Sequence, residues 1–290
     1  MIPAAFDYKA PRTLHETVSL LQEYGSDAKL ISGGQSLIPM MRFRMIQPRV
    51  LIDIGRIGGL DYLLEENGYL RVGARVTHGE MERSELVTGH YPLLAATARV
   101  VADPVVRRRG TVAGSLVHAD PAGDWAAAMM AARAEVVITG PNGSRVLSID
   151  GFLVDTFTTA LEEAELVTEV RVPTPGPNSG GHYLKIERKA GDFATVAVGV
   201  QIQLDAAGKC CQAGIGLCAV GPITLRAAAA EAALIGEVLT EPVIAQTAEL
   251  AAASCQPTAD TRGPAEYKQD MIRVLTARAL RQAAALAVRH

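Results

Sequence analysis

The sequence predicts an α+β fold in two domains, and three observations carry that prediction. Strand and helix signals alternate up to about residue 173, a two-residue apolar period then runs through Val196, Val198, Val200, Ile202 and Leu204, and three helical segments follow. A period of two buries one face of an extended chain, whereas a period near 3.6 buries one stripe of a helix. The Pro- and Gly-rich stretch 173–181 separates the two patterns and marks the domain boundary, and 290 residues suit about two domains.

In chain order, Thr13 is the N-cap of a helix with Leu14, Val18 and Leu21 on its apolar face, closed by Gly25. Residues 28–31 form a buried strand that runs directly into Ser32-Gly33-Gly34-Gln35-Ser36. Strands at 49–54 and 69–74 bracket a turn-rich stretch, and a helix covers 93–101. Asp103-Pro104 breaks that helix into a long loop reaching Ser115. Asp120-Pro121 reads as an N-cap followed by Pro at the first helical position, opening an Ala-rich helix to residue 134. Segments 135–139 and 145–149 flank Asn142-Gly143 as a hairpin, and 165–172 is a strand. Beyond the linker, strand 196–204 pairs with 210–220 through a turn at 205–208. Helices follow at 225–235, 242–253 and from 264 to the end, the last with Tyr267, Met271, Val274 and Leu275 as its apolar stripe.

Composition excludes several classes. The 28 basic and 31 acidic residues give a net charge of -3, and aromatics are 4% of the chain, so a polycationic nucleic-acid binder is not expected and few stacking platforms for bases remain. No run of about 20 apolar residues spans a bilayer, so no transmembrane segment is expected. The first residues lack a basic start followed by an apolar run, and a cytoplasmic location is expected. Cys210, Cys211, Cys218 and Cys255 contain no C-x-x-C pair and read as reduced thiols rather than as ligands of a metal or cluster.

Neither G-x-G-x-x-G nor the P-loop is present, nor are the H-E-x-x-H and G-x-S-x-G signatures. Two Gly/Ser loops remain. In the first, Gly33-Gly34 follows a strand, and adjacent glycines can turn successive N–H groups into one concavity that binds a pyrophosphate, with Ser36 capping a short helix. The same dipeptide is equally the sequence of a plain tight turn. The second loop follows Arg107-Arg108-Arg109, a charge run that most simply faces solvent or a partner. Asp124, downstream, suits hydrogen bonds from sugar hydroxyls, because a carboxylate repels phosphate. His118-Ala119-Asp120 has no third ligand nearby, and His15, His78, His90, His182 and His290 sit in unrelated contexts that assemble no triad. Lys185, Asp192 and Phe193 are unremarkable individually, and a strand lysine reads as a surface residue.

Taken together, Ser32-Gly33-Gly34-Gln35-Ser36-Leu37-Ile38-Pro39, the stretch VRRRGTVAGSLVHADPAGD from Val106, residues 165–173 and DTRGPAEYKQDMIRVLTARAL from Asp260 resemble the FAD-binding medium subunits of the molybdenum hydroxylases, most closely those of the carbon monoxide dehydrogenase type. The resemblance runs over essentially the whole chain. It implies a two-subdomain FAD-binding fold of the vanillyl-alcohol-oxidase (PCMH) type over 1–176, with subdomains of about 1–55 and 56–176, followed by a C-terminal antiparallel-sheet and helix domain over 177–290.

The resemblance implies these cofactor-binding residues by position. Ile31, Ser32, Gly33, Gly34, Gln35, Ser36 and Leu37 form one side of a pyrophosphate cradle, and Thr111, Val112, Ala113, Gly114 and Ser115 the other. Asp124 binds hydroxyls, Leu166 or Val167 packs near the flavin ring, Lys185 reaches the cofactor from the second domain, and Asp192 and Phe193 lie beside the isoalloxazine. Relatives often carry Ala at position 32, Gly at 113 and Asn at 108, so the second loop is expected to be slightly reshaped and Arg108 to add a cation. No catalytic acid or base and no metal ligand is assigned to this chain. The implied function is electron transfer: a molybdenum cofactor in a large subunit oxidises the substrate, two [2Fe-2S] clusters in a small subunit carry single electrons, and FAD passes them to an external acceptor. A dimer of heterotrimers is the implied assembly. Alternatives are a complex oxidising a heteroaromatic or aldehyde, a self-sufficient flavin oxidoreductase, and a non-enzymatic assembly subunit with vestigial loops.

Overall fold

A computed structural model describes residues 2–288; His290 and the last residues of the C-terminal segment lie outside the described range. The chain begins with β1 (Asp7–Lys9), α1 (Leu14–Tyr24), β2 (Ala28–Ile31), α2 (Leu37–Arg42) and β3 (Val50–Asp53). The three strands form a parallel sheet in the order β1-β3-β2. Thr13 Oγ1 accepts the Glu16 N–H at 3.1 Å to start α1, and Gly25, at φ +50°, ends it. The helix buries Val18 against Ile54, Ile57, Leu60 and Leu166, and Leu21 against Ala28, Val50 and Ile52. The three-residue β1 was not expected, since so short an edge strand carries no readable period.

A second layer follows. It comprises β4 (Leu63–Glu66), β5 (Tyr69–Gly73), α3 (His78–Arg83), α4 (Glu85–His90), α5 (Pro92–Val100), α6 (Pro104–Arg107), α7 (Val112–His118) and α8 (Asp124–Ala131). Next come β6 (Glu135–Gly140), β7 (Gly143–Ser148), α9 (Ile149–Phe152), a small ribbon of β8 (Leu153–Asp155) and β9 (Thr158–Thr159), and β10 (Leu166–Pro173). The five-stranded antiparallel sheet has the order β4-β5-β10-β6-β7, so the last strand in sequence lies at its centre. That position explains the continuous burial from Leu166 to Val170.

The C-terminal part holds β11 (Ser179–Ile186), β12 (Val196–Leu204), β13 (Cys210–Cys218) and β14 (Leu225–Arg226), an antiparallel sheet in sequence order. It is covered by α10 (Ala228–Leu234), α11 (Glu241–Ala253) and α12 (Ala265–Ala287). Every residue of α8 is buried, because this helix also packs on β12 and β13. The fit depends on missing side chains: a Cβ on Gly216 would stand 2.0 Å from the Ala127 carbonyl oxygen. Gly216→Val is therefore expected to push α8 off the sheet and cost about 3 kcal/mol. A urea melt of the purified chain reads this directly as a lower midpoint.

Several elements differ from expectation. The long loop after Asp103 contains two short helices, each opened by a side-chain cap: Asp103 Oδ1 accepts the Val106 N–H at 2.9 Å and Thr111 Oγ1 the Gly114 N–H at 3.1 Å. Asp120 does not cap the Ala-rich helix; its Oδ1 takes the Ala122 N–H at 2.9 Å in a local turn, and α8 starts at Asp124. Gly180 and Gly181 belong to β11 rather than to the linker, and a Cβ on Gly180 would meet the Ala283 carbonyl oxygen of α12 at 1.9 Å. Leu225 and Arg226 form a strand. The buried stripe of α12 is Lys268, Ile272, Leu275, Thr276, Ala279, Leu280 and Ala283, while Tyr267 is exposed. Packed small residues set that face, and they carry little hydrophobic contrast.

Candidate functional site

The two Gly/Ser loops meet. β2 delivers the chain to Gly33 and Gly34, and the bridge between Thr77 and Thr111 delivers it to Gly110 and the start of α7. A Cβ on Gly33 would lie 2.2 Å from the Arg109 carbonyl oxygen and 2.8 Å from Gly110 Cα, so one backbone rests directly on the other. Gly34 has φ +73°, the left-handed region where glycine is free and other residues are strained.

Among the described residues, the N–H groups of Gly33, Gly34, Gln35 and Ser36 donate to no acceptor in the chain, and neither do those of Thr111 and Ala113. A backbone donor that folding leaves free and partly shielded calls for a partner. Two stretches of such donors, brought together where Gly33 meets Arg109 and Gly110, suit an anionic diphosphate. Ser36 stands at the N-cap of α2 but its side chain makes no cap bond, so its hydroxyl also remains free. Ala113 lies in right-handed backbone within the first turn of α7, and Ser32 is not left-handed either, so neither departure from the family pattern strains these loops. Arg108 and Arg109 are exposed and form no ion pair among the described residues, whereas Arg107 pairs with Glu82 at 2.9 Å and donates to the Val101 and Ala102 carbonyls.

Asp124 and Lys185 come together as a buried pair between the first part of the chain and β11. Lys185 Nζ donates to Asp124 Oδ2 at 2.9 Å and to the Val100 carbonyl at 3.1 Å, and Tyr183 Oη donates to Asp124 Oδ1 at 2.9 Å. Burial pushes the Asp124 carboxyl above its usual range, and the Lys185 ammonium and Tyr183 hydroxyl oppose that push. Lys185 is 2% exposed, so the surface position expected of a strand lysine is corrected. Its neighbours explain the burial: two acids, Asp124 and Glu187, the latter at 3.1 Å, and the Val100 carbonyl surround the ammonium.

Leu166 and Val167 are buried in β10, on which α7 packs. Asp192 and Phe193 lie in the turn between β11 and β12, where Asp192 Oδ1 accepts the Phe193 N–H at 2.9 Å and Phe193 stays exposed. Gly191 brings this turn against Ala102 and Asp103, just ahead of the arginine run. His118 and Asp120 approach to 3.9 Å, with the His118 ring on Phe157.

One group was missed. His78, buried beneath Gly110, accepts the Trp125 indole N–H on Nδ1 at 2.9 Å. Nothing in the local sequence marks it, because its partners lie 32 and 47 residues away, the latter separation being that to Trp125. Burial, and then the Arg107 charge, lowers its pKa to about 4. A folded value below the unfolded value of about 6.5 stabilises the fold above pH 6.5 and loses that contribution as pH falls towards 4, amounting to about 3 kcal/mol. Thermal melts between pH 7.5 and 4 should therefore show a decline that begins below 6.5 and is reduced in His78→Phe.

Family models match two portions of the chain. Residues 4–175 match the FAD binding domain in molybdopterin dehydrogenase, and residues 181–283 the CO dehydrogenase flavoprotein C-terminal domain. The carbon monoxide dehydrogenase medium chain of Hydrogenophaga pseudoflava is 40% identical over 283 residues, covering 98% of both chains. A solved carbon monoxide dehydrogenase structure from Hydrogenophaga pseudoflava superposes with a TM-score of 0.96 at 43% identity over 99% of each chain. Quinoline 2-oxidoreductase from Pseudomonas putida 86 gives 0.92 at 32% identity, also over 99% of each chain.

Proposed function

The chain belongs to the FAD-binding medium subunits of the molybdenum hydroxylases, and from that premise we propose that it carries FAD between its two glycine loops and relays electrons within a carbon monoxide dehydrogenase-like complex. The observation that carries the site assignment is the set of backbone N–H groups in Gly33 to Ser36 and in Thr111 and Ala113 without acceptors in the chain. These groups hold the pyrophosphate. Ser32 and Ser36, Thr111 and Ser115 supply hydroxyls beside it, and Ile31, Leu37, Val112 and Gly114 shape the walls.

Asp124 and Lys185 act on the cofactor from where the two domains join, the acid towards its hydroxyls and the ammonium as a fixed positive charge. Leu166 and Val167 exclude water on the β10 side, and Asp192 and Phe193 flank the ring. Bound FAD supplies the redox chemistry, accepting single electrons and passing on pairs, while the chain supplies binding and electrostatics. No side chain need move a proton. We place the cofactor-binding domain at 1–176, in subdomains of about 1–55 and 56–176, and the C-terminal domain at 177–290.

The partners in this reading are a large molybdopterin-binding subunit and a small subunit with [2Fe-2S] clusters, as a dimer of heterotrimers in the cytoplasm. Among the described residues no helix is long and apolar enough to cross a membrane. Carbon monoxide is the proposed substrate of the complex. The similarity to a quinoline 2-oxidoreductase favours a heteroaromatic as the second reading. Anaerobic addition of carbon monoxide, quinoline or an aldehyde to the co-purified complex separates them: bleaching of the flavin band by carbon monoxide alone is expected, and bleaching by another compound alone overturns carbon monoxide as the substrate.

A further inference from the structure

Three contacts stack into one column beneath the proposed cradle. Gly33 of the first loop rests on the backbone of Arg109 and Gly110, where its Cβ would meet the Arg109 oxygen at 2.2 Å. Gly110 rests on the edge of the His78 ring, where its own Cβ would stand 2.7 Å from Nε2 and 2.9 Å from Cδ2. The other side of that ring accepts the Trp125 indole N–H at 2.9 Å.

The imidazole is clamped at its base as well. The His78 backbone N–H donates to the Gly110 carbonyl at 2.9 Å, and the Val112 N–H returns to the Val76 carbonyl at 3.1 Å. Because Nδ1 accepts from Trp125, the neutral ring carries its hydrogen on Nε2, on the side facing Gly110. Trp125 follows Asp124, whose carboxylate holds Tyr183 and Lys185. One buried histidine thus connects the first loop, the second loop and the contact with the C-terminal domain.

We propose that His78 is a positioning residue for the flavin, its ring setting the height of the second glycine loop against the first so that both rows of N–H groups reach one diphosphate. This role rests on the proposed FAD site. It requires a ring under Gly110 with no unpaired donor beneath it, the Trp125 indole N–H being satisfied by Nδ1. Removing the ring lets the second loop sink, while removing the acceptor leaves a buried indole N–H unpaired and turns the ring out of place.

The test is FAD titration of the flavin-stripped full-length chain, followed by flavin fluorescence well below each variant's melting temperature, with the melting temperature recorded alongside. His78→Ala and His78→Phe are each expected to raise the dissociation constant at least about tenfold. Adding Trp125→Phe to His78→Phe, which keeps a ring and removes the unpaired donor, should restore affinity to within about threefold. Adding it to His78→Ala should restore nothing. His78→Phe preserves most of the buried volume, which keeps the experiment readable if the alanine variant fails to fold. Lower melting temperatures with unchanged dissociation constants would show packing alone and overturn the proposal. Failure of the unsubstituted chain to bind FAD would instead overturn the cofactor site, and this role with it.

Discussion

Gly33→Val is expected to reduce bound flavin to below about a tenth of the unsubstituted level while the chain remains folded. The added Cβ would fall 2.2 Å from the Arg109 carbonyl oxygen, 2.8 Å from Gly110 Cα and 2.9 Å from the Arg109 carbonyl carbon. All three are backbone atoms, and those at Gly110 are backed by the buried His78 ring, so neither loop can yield without moving its free N–H groups away from the other. Gly33 is half-buried and its loop lies outside the hydrophobic clusters, which limits the loss of global stability, whereas Val112 and Ala113 of the second loop belong to the main core and hold that loop in place. Gly34→Ala should be milder. It costs about 1 kcal/mol for the left-handed backbone, and its Cβ meets the end of the Ile38 side chain, which can rotate away. Flavin content by absorbance, beside far-ultraviolet circular dichroism, checks both.

Lys185→Met is the second large effect and a different one, because it should lower stability as well as flavin retention. Lys185 is 2% exposed and Asp124 is 6% exposed. Removing the ammonium leaves the carboxylate with only the Tyr183 hydroxyl, and breaking one partner of a buried pair typically costs 3–5 kcal/mol, or roughly 10 °C in melting temperature. Burial already raises the Asp124 pKa and the ammonium opposes it, so without Lys185 the carboxyl should rise further and take up a proton. Melts of the variant should improve as the pH is lowered towards that value, the reverse of the His78 trend. Asp124→Asn in the Lys185→Met background should recover part of the loss, since the amide keeps an acceptor for Tyr183 without a buried charge.

Local pattern sufficed where the physical cause is local. The Thr13 cap, the Gly25 stop, the hairpin across Asn142-Gly143 and the strand from Val196 to Leu204 are all read from neighbours in the chain and form as expected, although α8 also buries the second face of that strand from Val196 to Val200. It failed where distant packing decides. Gly180 looked like linker but is a close approach of β11 to α12, and Lys185 looked like a surface lysine but is buried against a carboxylate 61 residues away. The PCMH-type fold and the flavin came from the resemblance rather than from period or composition, and the family comparisons bear both out. For the site, residues alone left Gly33-Gly34 undecided between a cradle and a tight turn. Contact with Arg109 and Gly110 adds what the sequence lacks, namely that the two loops meet. His78 was out of reach entirely, because its role depends on Gly110 above it and Trp125 below it.

The central claim is that one FAD sits between the two glycine loops. Its most direct test is to denature the purified subunit, taken from its complex, and quantify released FAD against protein for the unsubstituted chain and Gly33→Val. One FAD per chain, lost in the variant, is the predicted result. No FAD in the unsubstituted subunit, or equal FAD in both, would contradict it.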